Sequence, residues 1–199
     1  MDKLQLKDIC FSYGEEQIIK NLNLTVERGK PVVLLGRSGI GKTTLLKLIL
    51  NFIKPDSGEI FGVDEKTRIS VMYQEDRLFP QLTVYKNLKL VKKDFSRKEA
   101  EKLMRELNLE EKVLDKLPAE LSGGMRRRIA LARCLIFPSE LVLMDEPFQG
   151  LDSETRASCL NAVKKYTAGR PVLIISHEIQ DAAVLEAEIV RMEEISSYV

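Results

Sequence analysis

The chain has 199 residues, of which 44% are apolar and 31% are charged, and its formal net charge is +1. This composition is typical of a globular protein and excludes a disordered chain, and the length favours a single domain over residues 1–199. The near-neutral charge excludes a general attraction to nucleic acid or to anionic lipid, so we expect no nucleic-acid partner.

The three cysteines are widely spaced and form no metal-binding pattern. An odd number of cysteines without a signal peptide predicts reduced thiols in a cytoplasmic protein. The longest apolar run, residues 48–53, is interrupted by Asn51 and is far shorter than the roughly 20 residues that cross a bilayer. If the protein acts at a membrane, a partner must therefore supply the membrane span.

Two segments near the N terminus, residues 4–13 and 18–26, alternate between apolar and polar residues, and a turn-like Gly14-Glu15-Glu16 lies between them. This alternation predicts an antiparallel hairpin at the margin of the sheet. Tyr13 ends the first segment, and its ring offers a surface on which a nucleotide base can stack. Its spacing alone favours an ordinary half-buried strand residue.

A glycine-rich segment follows the apolar run of residues 32–35 and precedes the helix formers of residues 45–50. It fits the pattern G-x-x-x-x-G-K-[ST], and a chance connector is disfavoured by its place between a strand and a helix. Glycines allow the backbone amides to curl round a phosphate at the positive end of a helix. We expect Lys42 on the β- and γ-phosphates and Thr43 on Mg²⁺. The predicted nucleotide-binding residues of this phosphate loop are Gly36, Arg37, Ser38, Gly39, Ile40, Gly41, Lys42, Thr43 and Thr44.

Short strands are predicted at residues 58–62 and 68–73, and Gln74 stands at the end of the second. Its amide oxygen can bind a metal ion or a water, although a single glutamine is more often a surface residue. The next segment lacks β-branched runs, and Thr83 and Ser96 have the character of helix N-caps. We predict a small helical insertion at about residues 75–136, with one helix at residues 99–109.

The segment Leu121-Ser122-Gly123-Gly124 opens a predicted helix over residues 125–136. Ser122 is a good N-cap, and the two glycines leave the first amides accessible. This arrangement repeats the anion-binding geometry of the phosphate loop in a weaker form, and a plain helix cap is the alternative. We interpret Arg126–Arg128 as a solvated face.

Two later apolar runs end in polar residues. Asp145 and Glu146 follow residues 141–144, and the single histidine, His177, follows residues 172–175. Asp145 can hold the Mg²⁺ shell and Glu146 can orient or deprotonate a water. Taken alone, the pair is an ordinary strand end and the histidine a structural residue. Between them, Asp152 or Ser153 is predicted to cap a helix.

Gly36, Gln74, the Asp145-Glu146 pair and His177 each follow a predicted strand. In an open α/β sheet, the carboxyl ends of parallel strands share the edge where ligands bind. We therefore predict that these four features converge on one site.

With these motifs, the chain resembles the nucleotide-binding subunit of ATP-binding-cassette (ABC) transporters over nearly its whole length. The most specific part of the resemblance is residues 121–124, placed between the phosphate loop and residues 141–146. It implies a P-loop NTPase core with a parallel sheet, and an ATPase that binds ATP and Mg²⁺. Tyr13 would stack on adenine, and Gln74 would contact Mg²⁺ and sense the membrane partner. Glu146 would be the catalytic carboxylate, and His177 would act on the γ-phosphate.

The resemblance also implies a head-to-tail dimer, in which Ser122, Gly123 and Gly124 of one copy close over ATP on the other. Asp152 would lie in a loop that crosses this interface. A separate permease would hold the chain at the inner face of the cell membrane. Residues 74–80 and 145–148 are similar to bacterial importer subunits of the nitrate, sulfonate and taurine group, so we expect import, with a solute-binding protein as a further partner.

Three features depart from the family pattern. Met125 stands where the signature usually has glutamine, Gln149-Gly150 stands where Ser-Ala is usual, and the helical insertion is short. The alternatives are a soluble ABC ATPase, a P-loop kinase for small molecules and a silent binding module. The chain has no sustained heptads and only one phosphate loop, which disfavours the first. A kinase would not need residues 121–124, and intact Lys42, Glu146 and His177 disfavour the third.

Overall fold

The computed structural model describes residues 1–196 and shows an α/β fold. The strands are β1 (Lys3–Tyr13), β2 (Glu16–Glu27), β3 (Val32–Leu35), β4 (Ser57–Phe61), β5 (Ile69–Met72), β6 (Leu141–Asp145), β7 (Val172–Ile175) and β8 (Glu188–Arg191). The helices are α1 (Lys42–Ile49), α2 (Val84–Lys89), α3 (Arg97–Glu106), α4 (Gly123–Ile136), α5 (Ser153–Tyr166), α6 (Gln180–Leu185) and α7 (Met192–Ile195). Two short 3₁₀ helices cover Glu111–Asp115 and Pro118–Glu120.

The centre of the molecule is a five-stranded sheet in the order β5-β6-β7-β3-β8. Each neighbouring pair of its strands is parallel. Strands β3, β6 and β7 are buried along their whole length. This burial explains why they are continuous apolar runs, because both faces of a parallel sheet are covered. Each fully buried leucine or valine contributes about 1.5–3 kcal/mol to folding.

A second sheet of three strands has the order β2-β1-β4 and is antiparallel. The hairpin predicted for the N terminus is confirmed, with Leu4 opposite Val26 and Leu6 opposite Leu24. The sequence predicted β4 as a short strand but did not show that it pairs with β1. Gly58 and Gly62 permit this pairing, since both have positive φ and a Cβ on Gly62 would lie 2.1 Å from the carbonyl oxygen of Lys3.

The segment between β5 and β6 is helical, as predicted. Thr83 caps α2 and Ser96 caps α3 in a capping box with Glu99. Helix α3 ends at Glu106, before the predicted limit at residue 109. Its buried face joins one core with α4 and one face of the parallel sheet. No helix within residues 1–196 is both long and apolar enough to cross a membrane.

Candidate nucleotide site

The phosphate loop connects β3 to α1, as the sequence predicted. Gly41 occupies the N-cap of α1 with φ +106°, a conformation that glycine adopts without steric cost. A Cβ at Gly41 would lie 2.9 Å from Cγ2 of Ile18. No side chain caps this helix, and its first turn has no acidic residue. The first amides of α1 are therefore available to an anion at the positive end of the helix.

The side chain of Lys42 lies along the loop. Its Nζ donates to the carbonyl oxygen of Gly36 at 2.5 Å and to that of Arg37 at 3.0 Å. Burial lowers the pKa of Lys42, and the nearby carboxylates of Glu146 and Asp145 act in the opposite direction. A bound phosphate would offer this ammonium a charged acceptor, and charged acceptors make stronger hydrogen bonds than neutral carbonyls.

A cavity of about 200 Å³ opens beside the loop. It brings together residues from the carboxyl ends of β3, β5, β6 and β7, which is the convergence that the sequence predicted. Gly36, Arg37 and Ile40 belong to the same loop but do not line the cavity. The lining residues are Ser38, Gly39, Gly41, Lys42, Thr43, Thr44, Gln74, Asp145, Glu146 and His177.

Asp145 is the last residue of β6 and is buried, and it lines the cavity together with Thr43. Burial raises the pKa of Asp145, and the charges of Lys42 and Arg127 oppose that rise. The hydroxyl of Thr43, this carboxylate and the exposed amide of Gln74 are oxygen donors at one cavity. Mg²⁺ prefers such oxygens and completes its shell with water and substrate phosphates. The residues present therefore fit a Mg²⁺–nucleotide complex.

Glu146 follows β6 in the left-handed region, with φ +50°, which is unusual for a residue with a side chain. Its Oε1 lies 3.0 Å from Nε2 of His177. The contact lacks hydrogen-bond geometry, and within residues 1–196 this buried oxygen has no hydrogen-bond partner. Burial raises the pKa of Glu146, and His177 opposes the rise. An unpartnered buried carboxylate oxygen beside a phosphate site is suited to bind a water.

The interpretation of Arg126–Arg128 as a solvated face was wrong. The side chain of Arg127 is buried, with the residue only 6% exposed, and it crosses the interior to the carboxyl edge of the sheet. The spacing of residues along the helix indicates this burial, because Arg127 precedes the buried residues Ala130 and Leu131 by three and four positions and so lies on their face of the helix. The carbonyl groups that accept its hydrogen bonds belong to Tyr73, Gln74, Asp145 and Glu146.

The remaining predicted site residues lie outside this cavity. Tyr13 ends β1 and is 45% exposed, with its ring packed edge-on to Phe11 at 4.8 Å between centroids. Ser122 caps α4, and its hydroxyl accepts a hydrogen bond from the amide of Met125. Asp152 caps α5 in the same way through Thr155. The signature, Ser122–Gly124, is accessible on the surface, so the cavity does not include it.

A family model for ABC transporters matches residues 19–149. The chain belongs to the ABC transporter family. This ABC cassette is 39% identical to the thiamine import ATP-binding protein ThiQ of Escherichia coli (strain K12), over 90% of this chain and 83% of the relative. It is also 39% identical to the aliphatic sulfonates import ATP-binding protein SsuB 3 of Rhodococcus jostii (strain RHA1), over 92% of this chain and 68% of the relative.

The fold of the cassette is similar to that of the dimeric bacterial ABC transporter cassette MJ0796, with a TM-score of 0.81 and 29% identity. The match covers 95% of this chain and 94% of that one. A second dimeric structure of the same protein, bound to ADP and phosphate, gives a TM-score of 0.80 and 30% identity, over 94% of this chain and 93% of that one. These findings confirm the predicted family, the fold class, an ATPase activity and the ligands ATP and Mg²⁺.

Proposed function

We propose that this ABC cassette is the nucleotide-binding subunit of an importer and hydrolyses ATP to power transport through a separate permease. The observation that carries the proposal is the convergence of Lys42, Asp145, Glu146 and His177 on one cavity beside uncapped helix amides. The two relatives named above are importer subunits, which supports import over export. Cargo selection belongs to the permease, so no cargo is proposed.

The reaction is an in-line attack of water on the γ-phosphate, for which positioning and charge stabilisation provide most of the catalysis. Lys42 and the loop amides hold the phosphates. Thr43, Gln74 and Asp145 would hold Mg²⁺, and the bound ion would neutralise the charge that develops on the phosphoryl oxygens. Glu146 accepts the proton of the attacking water.

His177 lines the same cavity as Lys42, and its Nε2 lies 3.0 Å from Oε1 of Glu146. Its exposed imidazole stabilises the charge of the transferred group and helps to orient the carboxylate of Glu146. Tyr13 binds adenine through its exposed ring face.

The active species is a head-to-tail dimer, in which residues 122–124 of one copy cover the ATP of the other. The exposure of Ser122 and Gly123 supports this arrangement, because both lie at the surface and outside the nucleotide cavity of their own chain. Asp152 lies in the loop that crosses the interface. We infer a peripheral location at the cytoplasmic face of the membrane, where the permease and a solute-binding protein complete the transporter.

We also infer that residues 1–199 form one domain with a helical insertion at about residues 75–136. Buried residues of α2, α3 and α4 pack in the same hydrophobic core as one face of the parallel sheet, which supports a single domain that includes the insertion. Residues 197–199 lie outside the described part of the chain.

Purification from membranes tests the proposal. We expect the tagged chain to purify with a polytopic membrane protein, and the complex to release inorganic phosphate from ATP faster when transported solute is present. A chain that transfers the γ-phosphate to a small molecule would be a kinase. Hydrolysis without any membrane protein in the purified complex would favour a soluble ABC ATPase. Both results would contradict the proposal.

A further inference from the structure

Arg127 donates hydrogen bonds to backbone carbonyl oxygens beside the nucleotide cavity, and the proposed reaction assigns these bonds no role. Its Nη1 donates to the carbonyl oxygens of Tyr73 at 3.0 Å and Gln74 at 2.6 Å. Its Nη2 donates to the carbonyl oxygens of Asp145 at 2.8 Å and Glu146. One buried guanidinium therefore joins the ends of β5 and β6, which lie more than 70 residues apart in the chain.

The two segments that Arg127 joins bear the side chains proposed for Mg²⁺ and for the attacking water. Glu146 is held in the left-handed conformation at φ +50°, a conformation that costs roughly 1 kcal/mol or more for a residue with a side chain. Three hydrogen bonds to its backbone hold it there. Its amide donates to the carbonyl oxygen of Ile175 at 3.0 Å, and its carbonyl oxygen accepts from the amide of Gln149 at 3.3 Å and from the side chain of Arg127. This backbone conformation determines where its carboxylate points.

The same helix holds the rest of the segment after β5. Arg133 donates to the carbonyl oxygens of Asp76 at 3.2 Å and Arg77 at 2.8 Å. The carboxylate of Asp76 lies 3.4 Å from Nη1 of Arg127, which offsets part of the cost of a buried charge. Helix α4 therefore holds residues 73–77 by their backbone, and the signature lies at the N terminus of this helix.

A planar guanidinium suits this task, because its two terminal nitrogens donate in fixed directions and reach two segments at once. A lysine ammonium is a compact charge with no such fork, and a glutamine has one donor group in place of two. The position therefore requires arginine for its geometry as well as for its charge.

We propose that Arg127 is a positioning residue, which fixes the backbone of Gln74 relative to that of Glu146 and sets both relative to the signature helix. It does not touch the nucleotide. The inference rests on the proposed function, since it assumes that Gln74 and Glu146 act on Mg²⁺ and water. Loss of Arg127 should misplace the attacking water while the phosphate loop still binds ATP.

The test compares Arg127→Gln and Arg127→Lys with Arg170→Gln in the purified chain. Arg170 is a matched control, because it also donates to backbone carbonyls, those of Phe137 and Tyr166, but lies before β7 at the opposite edge of the sheet. We expect Arg127→Gln to lower kcat by roughly tenfold to 100-fold, since small misplacements of reacting groups have costs of this size. The KM for ATP should stay within about twofold, because uniform binding is unchanged.

Two further readouts separate positioning from stability. The Mg²⁺ concentration for half-maximal activity should rise in Arg127→Gln, and Arg127→Lys should remain well below wild type although it restores the charge. Arg170→Gln should keep the wild-type kcat, even though its Tm falls as much as that of Arg127→Gln or more. If Arg127→Gln does not fold, Arg127→Lys decides by the same measurements.

A kcat near the wild-type value in a folded Arg127 variant would overturn the inference, and so would a loss of kcat that Arg170→Gln matches. Measuring Glu146→Gln in the same assays separates a failure of the proposed function from a failure of the positioning role of Arg127. If Glu146→Gln still hydrolyses ATP, the proposed function fails. If Glu146→Gln is inactive while the Arg127 variants are fully active, only the positioning role fails.

Discussion

The N termini of α1 and α4 are both glycine-rich, yet they present their amides differently. At α1, Gly41 is the N-cap, no side chain caps the helix, and the following Lys42 is buried at 8% exposure. At α4, the hydroxyl of Ser122 already accepts a bond from the amide of Met125 at 3.2 Å, and the glycines face solvent. The first lies in a cavity with a buried lysine, whereas the second lies at the surface, where Nη2 of Arg126 is 3.9 Å from the position of a Cβ on Gly123.

This difference supports the proposal that the phosphate loop binds a nucleotide by itself and that the N terminus of α4 meets the nucleotide of a second copy. The amides of α1 lie in a cavity with carboxylates and a lysine, so phosphate and Mg²⁺ find their partners in one chain. The amides of α4 gain a ligand only when a nucleotide is brought to them. The dimeric structures of the related cassette MJ0796 are consistent with this division.

The largest expected effect comes from Glu146→Gln, which leaves both helix N termini intact and removes only the proposed general base. We expect hydrolysis to fall by about 10²–10⁴-fold. ATP should still bind and hold two copies together, so light scattering should show an ATP-dependent dimer. Glu178→Gln, an exposed carboxylate next to His177, is the control and should behave as wild type. A monomer with full hydrolysis would show that Glu146 is not the base.

The pH dependence follows from the raised pKa of Glu146. The carboxylate must be ionised to accept a proton, so kcat should fall with falling pH already above the ordinary range of a glutamate. Stability changes in the opposite direction, because a carboxyl whose pKa is raised by folding stabilises the fold below its unfolded pKa, and this contribution is lost as pH rises through the folded pKa. Profiles of kcat and Tm against pH, with Glu146→Gln as reference, measure both trends.

Lys42→Ala removes the cation of the proposed anion site at the N terminus of α1. A hydrogen bond to a charged group contributes about 1.5–3 kcal/mol, so we expect ATP to bind roughly 10- to 150-fold more weakly. Isothermal titration measures this change directly. Lys54→Ala removes an exposed lysine beyond α1 and should leave the affinity unchanged. Equal affinity in Lys42→Ala would remove this residue from the phosphate site.

Gly123→Asp changes only the N terminus of α4. The nearest atom to a Cβ at Gly123 is Nη2 of Arg126 at 3.9 Å, so the fold should accept the side chain. An aspartate there would face the phosphates of the partner's ATP, and like charges at an interface cost several kcal/mol, so hydrolysis should fall by at least about tenfold. ATP affinity of the monomer should be unchanged. Gly123→Ala supplies the control, because it adds the same Cβ without charge, and equal hydrolysis by both variants would contradict the composite site.

The smallest expected effect belongs to Tyr13, which lies outside both helix N termini. Stacking of a base on an aromatic ring contributes about 1 kcal/mol or more, so Tyr13→Ala should weaken ATP roughly fivefold. Inorganic triphosphate, which has no base, should bind both proteins equally. Tyr13→Phe should retain the affinity for ATP. Unchanged ATP affinity in Tyr13→Ala would show that the ring does not stack on adenine.

Several site features could be predicted because their chemistry is local. The phosphate loop is one continuous segment with its strand and helix on either side, and the N-caps at Thr83, Ser96 and Asp152 follow from residues within three positions. The convergence of Gln74, Glu146 and His177 followed from a rule about parallel strands, so it did not require knowledge of the strand order.

The prediction for Arg127 was wrong because its contacts are not local in the sequence. A run of three arginines has the composition of a solvated face, and only helical spacing hinted that the middle one is buried. Its acceptors on Tyr73 and Gln74 lie 54 and 53 residues away in the chain. The pairing of β4 with β1 also depends on distant segments.

The phosphate loop, the succession of strands along the chain and the candidate residues for ATP and Mg²⁺ could all be predicted from the sequence, because each depends on consecutive residues or on a short-range period. The tertiary structure was needed to show the order of the strands across the sheet, the left-handed conformation of Glu146 and the burial of Arg127 behind it. These depend on contacts across the parallel sheet, where partners far apart in the chain become neighbours only when the core is packed.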